Sequence, residues 1–449
     1  MVREWDVIIV GAGPAGLFTA LELSRLGGAR VLILEKGPDL NERKARSEMT
    51  SGWGGAGAFS DGKLTLSPQV GGWLSESVGL EELEALIEHV DSQYLAFGAP
   101  EKLYGGDSEA VEALRLKASS HGLELIPSPV RHLGTELCFK VLSRIRDHLE
   151  GRVEIACDRP VAGVITEGEE AVGVRTEQGE ELRGRFIVLA VGRQGAQWLA
   201  REAQRLKLPT RINPVDIGVR VEALASVLEP LTSASYEAKL LFRSRHFGDR
   251  VRTFCMCPRG EVIREHVNGV STVNGHSYAR RPSSNTNFAI LVSTTFTEPF
   301  NDPVAYGRSV AFLANLLGRE ILVQRLGDLL AGRRSTHERI ASGVVSPSLR
   351  DTTPGDLSFV LPYRYLTDIL EMLQALDGVA PGLHSQDTLL YGVEVKFYSL
   401  QLRVSPGMET GVRNLFATGD GAGVSRGLVQ ASASGVLAAR EIVRRLGQP

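Results

Sequence analysis

The feature that most restricts this chain lies in its first thirty-five residues. Val7-Ile8-Ile9-Val10 is a short, β-branched, wholly apolar run of the kind that forms a buried parallel strand. Gly11-Ala12-Gly13-Pro14-Ala15-Gly16 follows at once, and Leu17, Ala20, Leu21 and Leu26 then recur at helical spacing. A second apolar run, Val31-Leu32-Ile33-Leu34, ends in Glu35, nineteen positions beyond Gly16. Strand, glycine turn, helix, and second strand with a terminal acid make up the dinucleotide-binding pattern. Gly11 permits the tight turn, Gly13 lets backbone amides approach a pyrophosphate, and Gly16 lets the helix pack closely on the strand. Pro14 and Ala15 stand at the start of that helix, whose N-terminus supplies partial positive charge to phosphates. Glu35, with Lys36 beside it, is placed to receive ribose hydroxyls.

Composition removes several alternatives. With 449 residues, 43% of them hydrophobic, the chain can bury a large core and divides into two or three domains. Fifty Lys and Arg against fifty-three Asp and Glu leave a net charge of -3, and no basic block follows a phosphate backbone. Nucleic acid is therefore not expected as a partner. Cys138, Cys157, Cys255 and Cys257 make neither a disulfide framework nor the paired spacing of a zinc site, so no metal is expected and the cytoplasm is the expected compartment. The uncharged stretch between Asp6 and Glu22 is broken by Gly11, Gly13, Pro14 and Gly16, and its leader carries no net positive charge. We expect neither a secretion signal nor a membrane span.

A second signal lies at the other end. Asn414-Leu415-Phe416-Ala417-Thr418-Gly419-Asp420-Gly421-Ala422-Gly423 puts a short strand before a Gly-Asp turn, and a helical pattern runs from Leu428 to Leu446. Together the two ends resemble FAD-dependent oxidoreductases of the glutathione-reductase-like superfold. The resemblance implies that Asp420 holds ribityl and phosphate oxygens of non-covalent FAD, and that the amides from Gly421 to Gly423 face the pyrimidine end of its ring. Between the ends, Val161 to Thr166, Ala171 to Thr176 and Arg185 to Val191 read as the three strands of a β-meander, closed by the turn at Gly192. No second G-x-G-x-x-G opens a helix, so NAD(P)H is expected only as a transient electron donor.

The resemblance narrows further. The loop Ser51-Gly52-Trp53-Gly54-Gly55-Ala56-Gly57-Ala58-Phe59-Ser60-Asp61-Gly62-Lys63-Leu64 is similar to the signature of a group of FAD-dependent dehydrogenases named from their cofactor. So are His132 to Leu137, Phe254 to Gly260, Val273 to Arg280, and Tyr391 to Glu394. Two departures stand out: Val395-Lys396 replaces the usual Thr-Arg, and Glu136 replaces an Asp. Small residues at Gly54, Gly55 and Ala56 let backbone approach a flat ring, while Trp53 and Phe59 favour a packed loop. Arg43 and Arg46 either reach cofactor phosphates or lie on a solvated helix face.

The expected fold class is α/β: a Rossmann-like FAD-binding domain with a β-meander, plus an α+β substrate domain built on an antiparallel sheet. The FAD domain takes residues 1–79, 130–213 and 385–449, with a helical insertion at 80–129 and the substrate domain at 214–384. In that domain Tyr236 to Arg243, Val251 to Cys257, Glu261 to Glu265 and Phe288 to Thr295 read as strands of one sheet. Val304 to Leu317 and Ile321 to Leu330 read as helices, and Gly332 to Pro362 as a long functional loop.

Candidate catalytic residues fall in this domain. Cys255 and Cys257 share one face of a strand, either as a thiol pair beside the flavin or as two small buried residues. His276 shares a face with Tyr278 and is a candidate proton donor. Arg280, Arg281, His337, Glu394 and Lys396 complete the set. We expect the Gly54 to Lys63 loop and the sheet bearing Cys255, Cys257 and His276 to line the flavin ring. Three functions fit: a dehydrogenase or reductase passing hydride between flavin and a small organic molecule, a flavin monooxygenase, and an RNA-modifying or binding flavoprotein. Gly192-Arg193-Gln194-Gly195 lacks the Asp that the hydroxylases carry there, and the absent basic patch weighs against RNA. The sequence leaves the substrate and the oligomeric state open.

Overall fold

The computed structural model describes residues 4–447 apart from 27, 47–50, 60–61, 107, 268, 278–281, 297, 301 and 399, with the side chains of 44–46, 59 and 135 also left aside. Ser60, Asp61, Tyr278, Arg280, Arg281 and the Arg46 side chain therefore lie outside the described residues. The chain folds as two compact units. One comprises Met1–Leu103, Val130–Asn213 and Ser399–Pro449, the other Tyr104–Pro129 and Pro214–Tyr398.

The first unit is built on a parallel sheet. Strand Trp5–Val10 pairs on one side with Val31–Leu34 and on the other with Glu181–Leu189, which in turn pairs with Leu415–Ala417. Val7, Ile8, Ile9 and all four residues of Val31–Leu34 are buried, as β-branched and leucine-rich runs covered on both faces should be. Helices Pro14–Leu26 and Leu428–Leu446 pack against each other beside this sheet. Gly435 makes that approach possible, because a side chain there would lie 2.1 Å from the Ala15 carbonyl oxygen. The meander strands Val161–Glu167, Glu170–Thr176 and Glu181–Leu189 form as expected, but the third is shared: its first residues pair with the hairpin and its last with the parallel sheet.

The second unit holds an eight-stranded sheet in the order Thr353–Pro354, Leu322–Arg325, Leu389–Lys396, Val215–Leu224, Asn285–Thr294, Arg250–Cys257, Lys239–Arg243 and Leu123–Ile126. Every neighbouring pair is antiparallel except the first. Strand Val215–Leu224 alternates strictly. Val215, Ile217, Val219 and Val221 enter the core with Phe288, Ile290 and Val292, where helices Pro303–Gly318 and Tyr363–Asp377 pack. Asp216, Arg220 and Glu222 consequently project from the other face.

Several expectations need correction. The segment 80–129 is not one helical insertion: helix Leu80–Ala96 packs in the first unit, whereas helix Glu109–Ser120 and strand Leu123–Ile126 join the second. Residues 385–398 belong to the second unit, because Leu389–Lys396 pairs with Val215–Leu224 and Leu322–Arg325. Leu322–Arg325 is that neighbouring strand and only Leu326–Leu330 is helical; a short apolar run carries no period that separates the two states. Glu261–Val267 leaves the large sheet and forms a hairpin with Val270–His276. The stretch 332–362 is broken by helix His337–Ala341 and short pieces at Thr353–Pro354 and Leu357–Phe359. Among the described residues no helix is long and apolar enough to cross a membrane.

Candidate functional site

In the first unit, three glycine turns from distant parts of the chain meet. Gly11 has φ +109°, and a side chain there would lie 2.3 Å from the Ala190 carbonyl oxygen, while one at Gly16 would lie 1.9 Å from that of Gly11. These two glycines are demanded by the protein's own packing. Gly13 is not: a Cβ there would meet nothing nearer than the Gly55 Cα at 3.9 Å. Its open side is what a ligand's approach requires. The loop after Ser51 lies against this turn, with the Gly54 amide donating to the Ala12 carbonyl at 2.8 Å. The C-terminal turn closes in as well, since side chains at Gly419 and Gly421 would touch Ala15 Cβ at 3.0 Å and the Gly192 carbonyl oxygen at 2.5 Å. A side chain at Gly423 would instead strike the Leu400 carbonyl oxygen at 2.6 Å. Thus Gly11, Gly13, Pro14, Ala15, Gly16, Gly54, Gly55, Ala56, Gly192, Gly419, Asp420 and Gly421 gather in one region of the fold.

The charged residues around these turns do more than expected, and partly something else. Glu35, buried, accepts from the amides of Ala12 at 2.8 Å and of Gly37 and Gly52 at 2.9 Å each. It therefore ties the fingerprint to the second glycine loop, and a carboxylate with about four acceptor positions keeps one that no bond among the described residues fills. Arg43 is fully buried, not on a solvated face: its Nη1 donates to the carbonyls of Trp53 at 2.7 Å and Gly55 at 2.8 Å. It shapes the loop from within, where the Gly52 and Gly54 amides are already bonded to Glu35 and to the Ala12 carbonyl. Trp53 is buried beneath, its Nε1 donating to the Leu142 carbonyl. Lys36 is exposed.

Asp420 accepts from the Ser425 hydroxyl at 3.1 Å, and Arg193 stands 3.8 Å away. Burial raises its carboxyl above the ordinary range, against the pull of Arg193, Ser425 and Arg426. Beside it the Thr418 hydroxyl is buried without a partner among the described residues. First-turn amides at Ala15 and Gly16, open space at Gly13, a spare acceptor on Glu35 and an unanswered hydroxyl at Thr418 fit a dinucleotide.

The second unit carries a cluster of a different kind. Arg220, fully buried, donates from Nε to Asn287 Oδ1 at 2.8 Å, from Nη1 to both Glu394 oxygens at 3.3 and 3.4 Å, and from Nη2 to the Cys255 carbonyl at 2.7 Å and Cys257 Sγ at 3.3 Å. Burial would lower its pKa, but Glu394 and the two cysteines hold it above its ordinary value. Lys396 Nζ lies 3.0 Å from Glu394 Oε1, so the Val395-Lys396 departure still places a cation on this carboxylate. Gly275 closes over the guanidinium, with room for no side chain: a Cβ would lie 2.0 Å from Nη2. Next along the same face, Asp216 accepts from Arg252, Ser293 and Tyr398. Burial alone would raise its carboxyl, yet these partners hold it below the ordinary range.

Of the catalytic candidates, Cys255, Cys257, Glu394 and Lys396 are therefore brought together. His276 ends the neighbouring hairpin, exposed, on a separate two-stranded sheet from the cysteines. His337 lines another cavity, with Val323, Ile340, Pro347, Arg350, Thr352 and Pro354. Sequence reasoning missed Arg220, Asn287, Asp216 and Arg252. The alternation of Asp216, Arg220 and Glu222 within an apolar strand was the available signal.

Comparison with known proteins agrees with both halves. Residues 6–138 match the family model "FAD dependent oxidoreductase", and residues 214–397 match "FAD-dependent protein, C-terminal domain-like". The protein is an FAD-dependent oxidoreductase. A Clostridium beijerinckii protein described as "Uncharacterized protein" is 27% identical to this oxidoreductase, over 98% of this chain and 81% of its own. The tRNA uridine 5-carboxymethylaminomethyl modification enzyme of Exiguobacterium sibiricum is 24% identical over 42% of this chain and 24% of its own. Among solved structures, L-proline dehydrogenase from P. horikoshii covers 99% of the oxidoreductase and 95% of its own chain at 12% identity, with a TM-score of 0.45. At that level of likeness it is the family models that decide.

Proposed function

We propose that the protein is a dehydrogenase or reductase that passes hydride between non-covalently held FAD and a small organic substrate, with NAD(P)H serving at most as a transient donor. The observation that carries this reading is the meeting of the Gly11, Gly54 and Gly419 turns around an open Gly13, with Glu35 and Asp420 beside them. Bound there, FAD supplies an acceptor for an electron pair. The chain's own residues do the rest. Ala15 and Gly16 present amides to the pyrophosphate, Glu35 orients the adenosine ribose, and Asp420 with Thr418 takes the ribityl and phosphate end. The loop at Gly54, Gly55 and Ala56, held in shape by Arg43, brings backbone to the ring.

For the substrate half, the second unit offers Lys396, Glu394 and the two thiols, groups that bind a polar substrate and hold or move a proton. His276, exposed at the hairpin end, is the other proton-carrying candidate. The missing Asp at Gly192-Arg193-Gln194-Gly195 sets the hydroxylase reading behind this one. We place the protein in the cytoplasm, with no membrane or nucleic-acid partner.

Anaerobic bleaching of the purified yellow protein by NADH, NADPH and a panel of organic substrates tests the proposal. FAD released on denaturation, together with bleaching by an organic substrate, is the expected result. Substrate-dependent consumption of oxygen with a hydroxylated product would replace it with the monooxygenase reading, and a mobility shift with tRNA would replace it with the third.

A further inference from the structure

Strand Arg250–Cys257 pairs regularly with Asn285–Thr294 as far as Phe254 opposite Ala289, and resumes at Cys257 opposite Asn287. Three steps on one strand thus face two on the other, so one residue is bulged out. Cys255 absorbs the distortion with φ +46°, a backbone conformation that side chains rarely adopt. In a regular strand, next-but-one side chains stand roughly 6.5–7 Å apart. Here the two sulfur atoms are 4.0 Å apart. Arg220 holds the bulge from behind, donating to the Cys255 carbonyl and to Cys257 Sγ. The thiols also differ: Cys257 is buried against that guanidinium, whereas Cys255 is half-buried.

We propose that Cys255 and Cys257 form a redox-active dithiol that closes to an internal disulfide by exchange with a low-molecular-weight disulfide. The Cys255 thiolate attacks one sulfur of the incoming disulfide, forming a mixed disulfide and releasing the first thiolate. The Cys257 sulfur, which accepts from the adjacent guanidinium, then attacks the Cys255 sulfur as its thiolate, forming the internal bond and releasing the second. The two thiol protons end on the two released thiolates, so two cysteines are oxidised and one external disulfide is reduced. Closure brings the sulfur atoms to about 2.05 Å by side-chain rotation on a backbone already bulged. It also takes the Cys257 thiol away from Arg220, leaving that charge to Glu394 and Asn287. The chemistry uses only residues of the second unit, so it stands or falls separately from the flavin reaction proposed above.

The test is a redox titration of the flavin-loaded protein in mixtures of oxidised and reduced glutathione, followed by acid quench, alkylation and trypsin digestion. The peptide Thr253–Arg259 contains both cysteines. It should pass from a doubly alkylated form to an unalkylated form lighter than the dithiol by two hydrogens, and return completely with dithiothreitol. In Cys257→Ser the same treatment should leave glutathione on Cys255, and in Cys255→Ser the remaining Cys257 should be recovered alkylated, without glutathione. Double alkylation at every glutathione ratio overturns the proposal. So does a wild-type peptide that accumulates the glutathione adduct and never the internal bridge, a result that needs no variant to fold.

Discussion

The two units gather polar groups inside an apolar protein with opposite materials. In the first unit the candidate site is mostly backbone: glycine turns stripped of side chains, with Glu35 and Arg43 spent on arranging amides and carbonyls. In the second it is mostly side chain: Arg220, Glu394, Lys396, Asn287 and two thiols packed on one sheet face. A backbone site fails when something is added to it. A side-chain site fails when something is taken away.

The largest expected effect follows from that difference. Arg220→Met removes one partner of a fully buried ion pair and leaves Glu394 with Lys396 alone, which should cost about 3–5 kcal/mol of stability. Joint replacement with Glu394→Met should recover more than half of it, and denaturant unfolding followed by far-UV circular dichroism reads both. Equal losses in the single and double variants would show that packing, not charge, holds the cluster.

Next comes Glu35→Gln, which turns one accepting oxygen into a donor facing backbone amides. A loss on the order of 2 kcal/mol is expected even without flavin. Unchanged stability of the flavin-free protein, with only FAD affinity reduced, would make Glu35 purely a ligand residue.

Gly13→Ala should be smaller in energy and cleaner in meaning. The protein leaves room for that methyl group, so thermal stability of the flavin-free form should hold while FAD binds about tenfold or more weakly, roughly 1.4 kcal/mol. Gly16→Ala should do the reverse and lower stability first. A matched pair of results would erase the distinction drawn between packing glycines and ligand glycines.

The smallest effect is a pH dependence in the second unit. Burial raises the Asp368 carboxyl to about 6, helped by its neighbour Asp249, whose own carboxyl is depressed by Arg364. Between pH 4 and 6 the folded chain holds a proton that the unfolded chain has released, so this group's contribution falls as pH rises through that window. Asp368→Asn should flatten the decline and leave the variant more stable above it by about 1 kcal/mol, with solvent screening allowed for. Parallel stability profiles from pH 4 to 8 for the two proteins would remove Asp368 as the cause.

What the sequence determined by itself is what lies close together along the chain. The strand before Gly11, the helix after it, the acid closing Val31–Leu34 and the helix Leu428–Leu446 are all local patterns of period and turn chemistry. Tertiary structure decided what those residues face. Arg43 belongs to a short polar helix, and only the fold of the 51–58 loop turned it inward onto Trp53 and Gly55. Arg220 meets partners 35, 37, 67 and 174 positions away, drawn from three other strands, and no spacing rule joins them. The bulge that brings Cys255 to Cys257 has the same origin. An extra residue is visible only against the strand it fails to match, and that strand is supplied by the sheet.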